Sequence, residues 1–195
     1  MTQALAAPRI DPSDAAAAAL RFGAAAPADL SYAVLDTPAG RVVAAATTRG
    51  LVRLAYEDWN GGVDRIVEAL AASISPRILE QPTALDAVAR ELDEYFAGRR
   101  RSFDLTLDWR LSAGFRATVL QHLADIEYGH TASYATVARL AGRPKAFRAV
   151  GTACSTNPLP VVVPCHRVVK SDGSMGGYLG GSKAKATLLE LEMAA

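Results

Sequence analysis

Val161-Val162-Val163-Pro164-Cys165-His166-Arg167-Val168-Val169 is the stretch on which the reading of this chain turns. Three β-branched residues lead into a proline, then come a thiol, an imidazole and a guanidinium, and two valines close the run. An apolar run of this composition reads as a strand buried on both faces. Pro164 has no N–H to give to a ladder, so regular pairing is expected to stop or bend there. Cys165 then falls where a buried strand breaks, at the edge of a core with one side open, which suits a reactive thiol. A plain buried cysteine is the alternative. His166 and Arg167 weigh toward reactivity, because positive or protonatable neighbours favour the thiolate, the nucleophilic form.

Around this stretch the totals set limits. A chain of 195 residues, half of them apolar, holds one large domain or two small ones. Cys154 and Cys165 are the only cysteines, too few for a disulfide framework, and they point to a reducing compartment, read here as the cytoplasm. No run approaches the ~18 apolar residues of a membrane span. The Ala15–Leu20 run lies beside Asp11 and Asp14 rather than behind a basic region, so no signal peptide is expected. The net charge of +1 hides an asymmetry. Lys and Arg stand against Asp and Glu at 9 to 12 over residues 31–109 but at 10 to 5 over residues 110–195. From Tyr128 to Ser171 there are six basic residues and no acidic one, which suggests a polyanionic partner. An ordinary solvated surface is the plainer reading of the same charges.

Upstream, residues 1–30 are rich in Ala and Pro and read as a loosely ordered extension, with a short helix over Ala15–Leu20. From Ser31 the pattern changes to strands: Tyr32 onward, then Arg41 onward, joined by a turn at Thr37-Pro38-Ala39-Gly40, and a third over Leu51–Tyr56. Val63–Ala72 has helical spacing, and Thr83 is expected to cap a second helix that runs through Phe96 and stops at Gly98. Phe103, Leu105 and Leu107 alternate as one more strand. Residues 31–108 thus read as an α/β scaffold domain without a cluster of reactive groups.

Residues 109–195 read as a second, mainly helical domain. Phe115–Ile126 is amphipathic. Ser133 is expected to cap a helix through Leu140 with Tyr134 in its first turn. After Ala141-Gly142-Arg143-Pro144, a further helix runs from about Lys145 to Ala153. Helix, short Gly-containing turn, helix is the helix-turn-helix arrangement, which inside an acid-free basic stretch favours DNA. The second helix carries small residues at Ala146, Ala149, Gly151 and Ala153 beside Lys145 and Arg148. Tight helix packing explains such a face. So does entry into a minor groove only ~6 Å wide, with Arg148 reaching in to displace a base.

Asn157-Pro158-Leu159-Pro160, Pro164-Cys165-His166-Arg167-Val168-Val169, Gly176-Gly177-Tyr178, Gly180-Gly181, Lys185 and Leu188-Leu189 together resemble the O6-alkylguanine-DNA alkyltransferases, the methylated-DNA–protein-cysteine methyltransferases. The Ser133-Tyr134 helix and the Arg143–Gly151 segment are similar to the same family. The match is dense from Phe115 to Glu192, and looser at Tyr95-Phe96-Ala97-Gly98. The resemblance implies an N-terminal RNase H-like sheet-and-helix domain before the helical one, and irreversible, single-turnover repair of O6-alkylguanine in duplex DNA. Cys165 would take the alkyl group from a base flipped out through the minor groove. The thioether so formed has no easy hydrolytic exit, so the protein is consumed, and no cofactor is implied.

The same resemblance assigns the other roles. His166 would act on Cys165 through a water, oriented by a glutamate. The family pattern places that glutamate at Glu192, with Glu190 as the rival one helical step away. Asn157 would tie the active-site turn together. Tyr134 would contact the flipped guanine and help it leave as a neutral species. Arg148 would fill the vacated place in the stack, offsetting a flipping cost of about a few kcal/mol. Ser133, Lys145, Ala146, Ala149 and Gly151 would lie along the DNA. Val168, Leu179, Gly176 and Tyr178 would surround the base, through backbone groups at Val168 and Leu179 and through open glycine backbone. Some relatives bind zinc in the N-terminal domain, but residues 1–109 have no Cys and no His, so no metal site is expected. The expected partner is duplex DNA, with no membrane, bound by a monomer. A non-catalytic alkylguanine-binding marker and a Cys–His hydrolase are the competing readings.

Overall fold

Leu30–Leu35 (β1), Val42–Thr47 (β2) and Gly50–Tyr56 (β3) form an antiparallel meander. The structure, a computed structural model, describes residues 28–194, so the Ala15–Leu20 helix lies outside the described residues. The first turn closes as its sequence suggests. Thr37 Oγ1 donates to the Gly40 carbonyl at 2.6 Å, and the Gly40 N–H donates back to Thr37 at 3.0 Å. A three-residue strand that periodicity did not reveal, Ile78–Glu80 (β4), pairs parallel to β1 and gives the order β3-β2-β1-β4. Helix Val63–Ser73 (α1) lays Ile66 and Leu70 against one face with Leu30, Val43, Ala45 and Val52. Helix Asp86–Phe96 (α2) covers the other face, where Leu92 and Tyr95 meet Ala33, Val42 and Ala44. Alternate residues of β2 therefore feed two separate cores, which is why the strand is apolar without interruption.

Two expectations in this half are corrected. Thr83 does not cap a helix: Pro82–Leu85 forms a 3₁₀ turn that already contains it, and α2 begins at Asp86. Phe103–Leu107 is not a strand. Only Leu107 bridges to Leu51, while Phe103 and Leu105 turn into the core instead. At this crossing the Leu51 N–H donates to Thr106 at 2.9 Å, and a Cβ at Gly50 (φ 128°) would lie 2.3 Å from the Thr106 carbonyl oxygen. No side chain other than hydrogen fits there.

After the 3₁₀ turn Trp109–Leu111, the chain is mostly helical: Gly114–Leu123 (α3), Tyr134–Leu140 (α4), Phe147–Ser155 (α5) and Gly181–Met193 (α6), with two-residue strands Ala132–Ser133 (β5) and Val168–Val169 (β6). Among the described residues no helix is long and apolar enough to cross a membrane. Ser133 caps α4 as expected, accepting from the Thr136 N–H at 3.0 Å. α5 starts at Phe147, two residues late, because the Ala146 N–H closes a turn onto Arg143 at 2.8 Å and Ala146 is not helical (φ −91°, ψ 25°). α3 stops at Leu123 rather than Ile126, its end tightened by an Ile126 N–H to Leu123 bond of 3.2 Å.

The largest correction concerns Val161–Val169. Val161–Val163 are buried, or nearly so, but form turns, and Cys165–Arg167 is a 3₁₀ turn, leaving only Val168–Val169 as strand. Val161 has φ 73°, a left-handed conformation costly for a β-branched residue and incompatible with a strand. The edge of β3 organises this segment: the Leu54 N–H donates to Pro158 at 2.8 Å, so the loop rather than another strand covers that edge.

Candidate active site

Pro164 builds the turn that presents the thiol. Its φ of −80° and ψ of 62° make an inverse γ-turn, with the Cys165 N–H donating to Val163 at 2.8 Å. Asn157 clamps this turn from below. Its Nδ2 donates to the Val163 carbonyl at 2.8 Å and to Cys165 Sγ at 3.2 Å, and its Oδ1 accepts from the Leu159 N–H at 3.0 Å. With every polar atom of a buried carboxamide engaged, the sulfur has one fixed position.

Cys165 is 2 % exposed, and burial pushes its thiol up to about 11 despite the opposing Asn157 donor and the nearby Lys185 ammonium. The resting group is therefore a thiol, not the thiolate that its basic neighbours suggested. Arg167 gives it no help. Its side chain turns away and donates to both oxygens of Glu192, from Nε at 2.9 Å and from Nη2 at 2.9 Å. His166 Nε2 lies 2.9 Å from the same carboxylate, and the Tyr95 hydroxyl donates to it at 2.6 Å. Burial alone would raise the Glu192 carboxyl, but these bonds outweigh it and hold the group at about 2. An ionised Glu192 fixes the His166 tautomer: Nε2 carries the proton, leaving Nδ1 as a lone pair. Nδ1 is buried and has no hydrogen-bond partner among the described residues, and burial holds the imidazole below its ordinary range and hence neutral. Cys165 makes no direct hydrogen bond to it. The turn thus places a protonated thiol beside a neutral imidazole with one unused base position.

The two-residue parallel pairing of β5 with β6 carries Tyr134 to this turn, since Tyr134 follows β5 directly. Tyr134, Tyr178, Leu179 and Gly151 line a cavity of about 500 Å³ with Trp59 and Asn60. Gly176 supports it from outside: a Cβ there would lie 2.3 Å from the Tyr134 hydroxyl oxygen and 3.1 Å from its ring. Gly176→Ala should therefore displace Tyr134 and slow the reaction of the Cys165 thiol with whatever the cavity binds by on the order of ten- to a hundred-fold, read as the rate at which that thiol is modified. An unchanged rate would mean that the hydroxyl position is not critical.

Residues 30–109 match the ribonuclease-like domain of 6-O-methylguanine DNA methyltransferase, and residues 114–194 match its DNA binding domain. A methylated-DNA–protein-cysteine methyltransferase of Methanosarcina barkeri is 37% identical over 161 residues, 83% of this chain and 96% of that one. This chain belongs to the 6-O-methylguanine DNA methyltransferase family. A constitutive Bacillus subtilis methyltransferase is also 37% identical, over 83% of this chain and 94% of that one. The crystal structure of Mycobacterium tuberculosis O6-methylguanine methyltransferase superposes with a TM-score of 0.73 at 34% identity, covering 85% of this chain and 93% of that one. The same enzyme has been solved in complex with DNA, with a TM-score of 0.73 over 84% and 93% of the two chains.

Within this methyltransferase fold, the expected residues fall into three groups. Cys165, His166, Asn157 and Glu192 converge on one turn, while Glu190 is exposed on the far side of α6. Tyr134, Tyr178 and Leu179 face the cavity, with Gly176 at its back; Val168 is fully buried and does not line it, and its carbonyl already accepts Lys185 Nζ at 2.6 Å. Arg148 and Ala149 are exposed on α5, and Lys145 and Ala146 sit in the turn before it. Ala153 packs into the core, so the row of small residues is split between two faces, and the Ser133 hydroxyl is committed to capping. Tyr56 and Trp59, both from the sheet half, were missed. The Tyr56 hydroxyl lies 3.3 Å from that of Tyr178 and its ring lies under Gly180; Trp59 is 65% exposed beside Gly181. Only docking of the two halves brings them there, and no local pattern announces it.

Proposed function

We propose that this protein repairs O6-alkylguanine in duplex DNA by moving the alkyl group irreversibly to Cys165, once per molecule. The observation that carries this is the Cys165 thiol held by Asn157 on the same turn as a neutral His166 anchored to Glu192, behind a tyrosine-lined cavity next to a helix-turn-helix. The scaffold unit would be residues 31–108 and the DNA-binding, alkyl-transfer unit residues 109–195, acting as a monomer in the cytoplasm.

The lone pair on His166 Nδ1 takes the thiol proton through one water, with Glu192 stabilising the imidazolium that forms. The sulfur then attacks the alkyl carbon, an S–C bond forms, and the C–O6 bond breaks with its electron pair on the guanine. Tyr134 supplies a proton from its hydroxyl, and guanine leaves neutral. Leu179 contributes its backbone to the base, with Gly176 and Tyr178 around it, while Val168, buried behind the cavity, holds Lys185 instead. Arg148, whose guanidinium lies 5.4 Å from the Phe147 ring centre, is exposed and free to enter the minor groove as the base leaves. Ser133, Lys145, Ala146, Ala149 and Gly151 form the surface along which the backbone runs.

Titrating the protein with a duplex carrying one O6-methylguanine should consume one equivalent and stop, with one added methylene on the Cys165 peptide. Repeated turnover would instead support a hydrolase, and binding without transfer a marker protein. Arg148→Ala should slow reaction with the duplex on the order of a hundred-fold but leave reaction with free O6-benzylguanine unchanged, since only the duplex requires extrusion. Equal losses on both substrates would remove Arg148 from that role.

A further inference from the structure

A second cavity, of about 390 Å³, opens along the seam between the sheet half and the helical half. Three guanidinium-bearing side chains line it, Arg53 from β3, Arg65 from α1 and Arg116 from α3, together with Asn60, Ser73 and Thr156. No carboxylate lines the cavity, and among the described residues none of the three arginines is in an ion pair. The hydrogen-bond partners of Arg53 and Arg116 are neutral. Arg53 Nη2 donates to Asn60 Oδ1 at 3.2 Å, while Asn60 Nδ2 is held by the Tyr56 carbonyl at 2.7 Å, so a fixed amide aims the guanidinium. Arg116 Nη2 donates to the Leu111 carbonyl.

Like charges gathered in a partly dry cleft repel one another and lose hydration, a cost that an anion would relieve. Burial accordingly lowers the Arg53 pKa with no carboxylate to offset it. Planar guanidinium forks match the oxygens of phosphate and carboxylate bidentately, and of the two a DNA strand carries phosphate. The cleft also adjoins the base cavity: Asn60 lines both, and Ser155 in one is followed by Thr156 in the other. We propose that this arginine cleft binds a backbone phosphate of the DNA strand that delivers the base to the neighbouring cavity. This inference rests on the DNA-repair reading above, and it adds the sheet half to the DNA-binding surface.

The test uses the full chain, with Arg65→Gln and Arg116→Gln made separately. Arg65 is exposed, so its replacement leaves the fold undisturbed even if Arg116→Gln perturbs the seam. Affinity for a methylated duplex is measured against salt, and alkylation by free O6-benzylguanine is measured in parallel. Each variant should bind the duplex roughly tenfold more weakly. The slope of log K against log salt should shrink by about 0.9 for the lost phosphate. Reaction with O6-benzylguanine should stay at the wild-type rate. Wild-type affinity and slope in Arg65→Gln would overturn the proposal while leaving the repair reading intact. Inorganic pyrophosphate binding to wild type but not to Arg65→Gln, with duplex affinity unchanged, would overturn the DNA strand as the source of the phosphate. Failure of the wild type to react with methylated duplex at all would instead overturn the repair reading.

Discussion

Cys165→Ala protein is expected to acquire no methyl group from methylated duplex under any excess of DNA, while still binding that duplex. The side chain is 2% exposed and contributes nothing to the surface of α4 and α5, so binding should survive its loss. Among the described residues its one side-chain hydrogen bond is the 3.2 Å contact from Asn157, whose amide keeps the Val163 carbonyl when the sulfur is gone. Cys154 cannot substitute. It is buried, and burial drives its thiol even further up than that of Cys165. Intact-mass measurement after incubation, with anisotropy on a labelled duplex, checks both halves of the expectation. Stoichiometric methylation of the variant would remove Cys165 from its assigned role.

Glu192→Ala is expected to be the most destabilising single change in the helical half. It strands a buried guanidinium at Arg167, an imidazole at His166, the Tyr95 hydroxyl and the Gly129 N–H, which donates to Glu192 Oε2 at 3.2 Å. Removing one partner of a buried pair costs about 3–5 kcal/mol, or roughly 6–20 °C in melting temperature for a chain of this size. The pH dependence has a definite sign. Glu192 is depressed from 4.5 to about 2, so its stabilisation is fully present above the unfolded value and lost as pH falls from about 4.5 toward 2. His166, held below its ordinary 6.5, acts in the same direction, because the unfolded imidazole binds its proton first as pH falls through that value. Wild type should thus lose melting temperature progressively below about pH 6.5, and the variant should lack the component between 4.5 and 2. A Glu192→Ala melting temperature within a degree or two of wild type would show that the carboxylate is not holding these groups together.

How much of this was legible beforehand differs from residue to residue. The meander, the Ser133 cap, the two helices about Gly142 and the pairing of His166 with Glu192 follow from local chemistry or from motif, and the chain honours them. Val161–Val163 misled because composition reports burial and not backbone angle: a fixed Asn157 side chain and the free edge of β3 impose a turn on residues that alone favour a strand. β4 escaped notice because three residues carry no period. Arg167 was credited to the thiol because it is near in sequence, whereas the 3₁₀ turn points it at Glu192. Tyr56, Trp59 and the arginine cleft depend on how one half of the molecule rests on the other, which no window of sequence contains.

Glu192 gathers hydrogen bonds from α2 of the sheet half, from the Gly129 loop ahead of the helix-turn-helix and from the turn after Cys165, itself lying on α6, the last of these elements in sequence. A nascent polypeptide cannot assemble that node until α6, which follows all of these partners in sequence, has been synthesised. Partly folded or truncated copies would carry the sulfur but lack its oriented proton acceptor. If the thiol is spent once per molecule, as proposed, this order keeps it idle until α6 has docked.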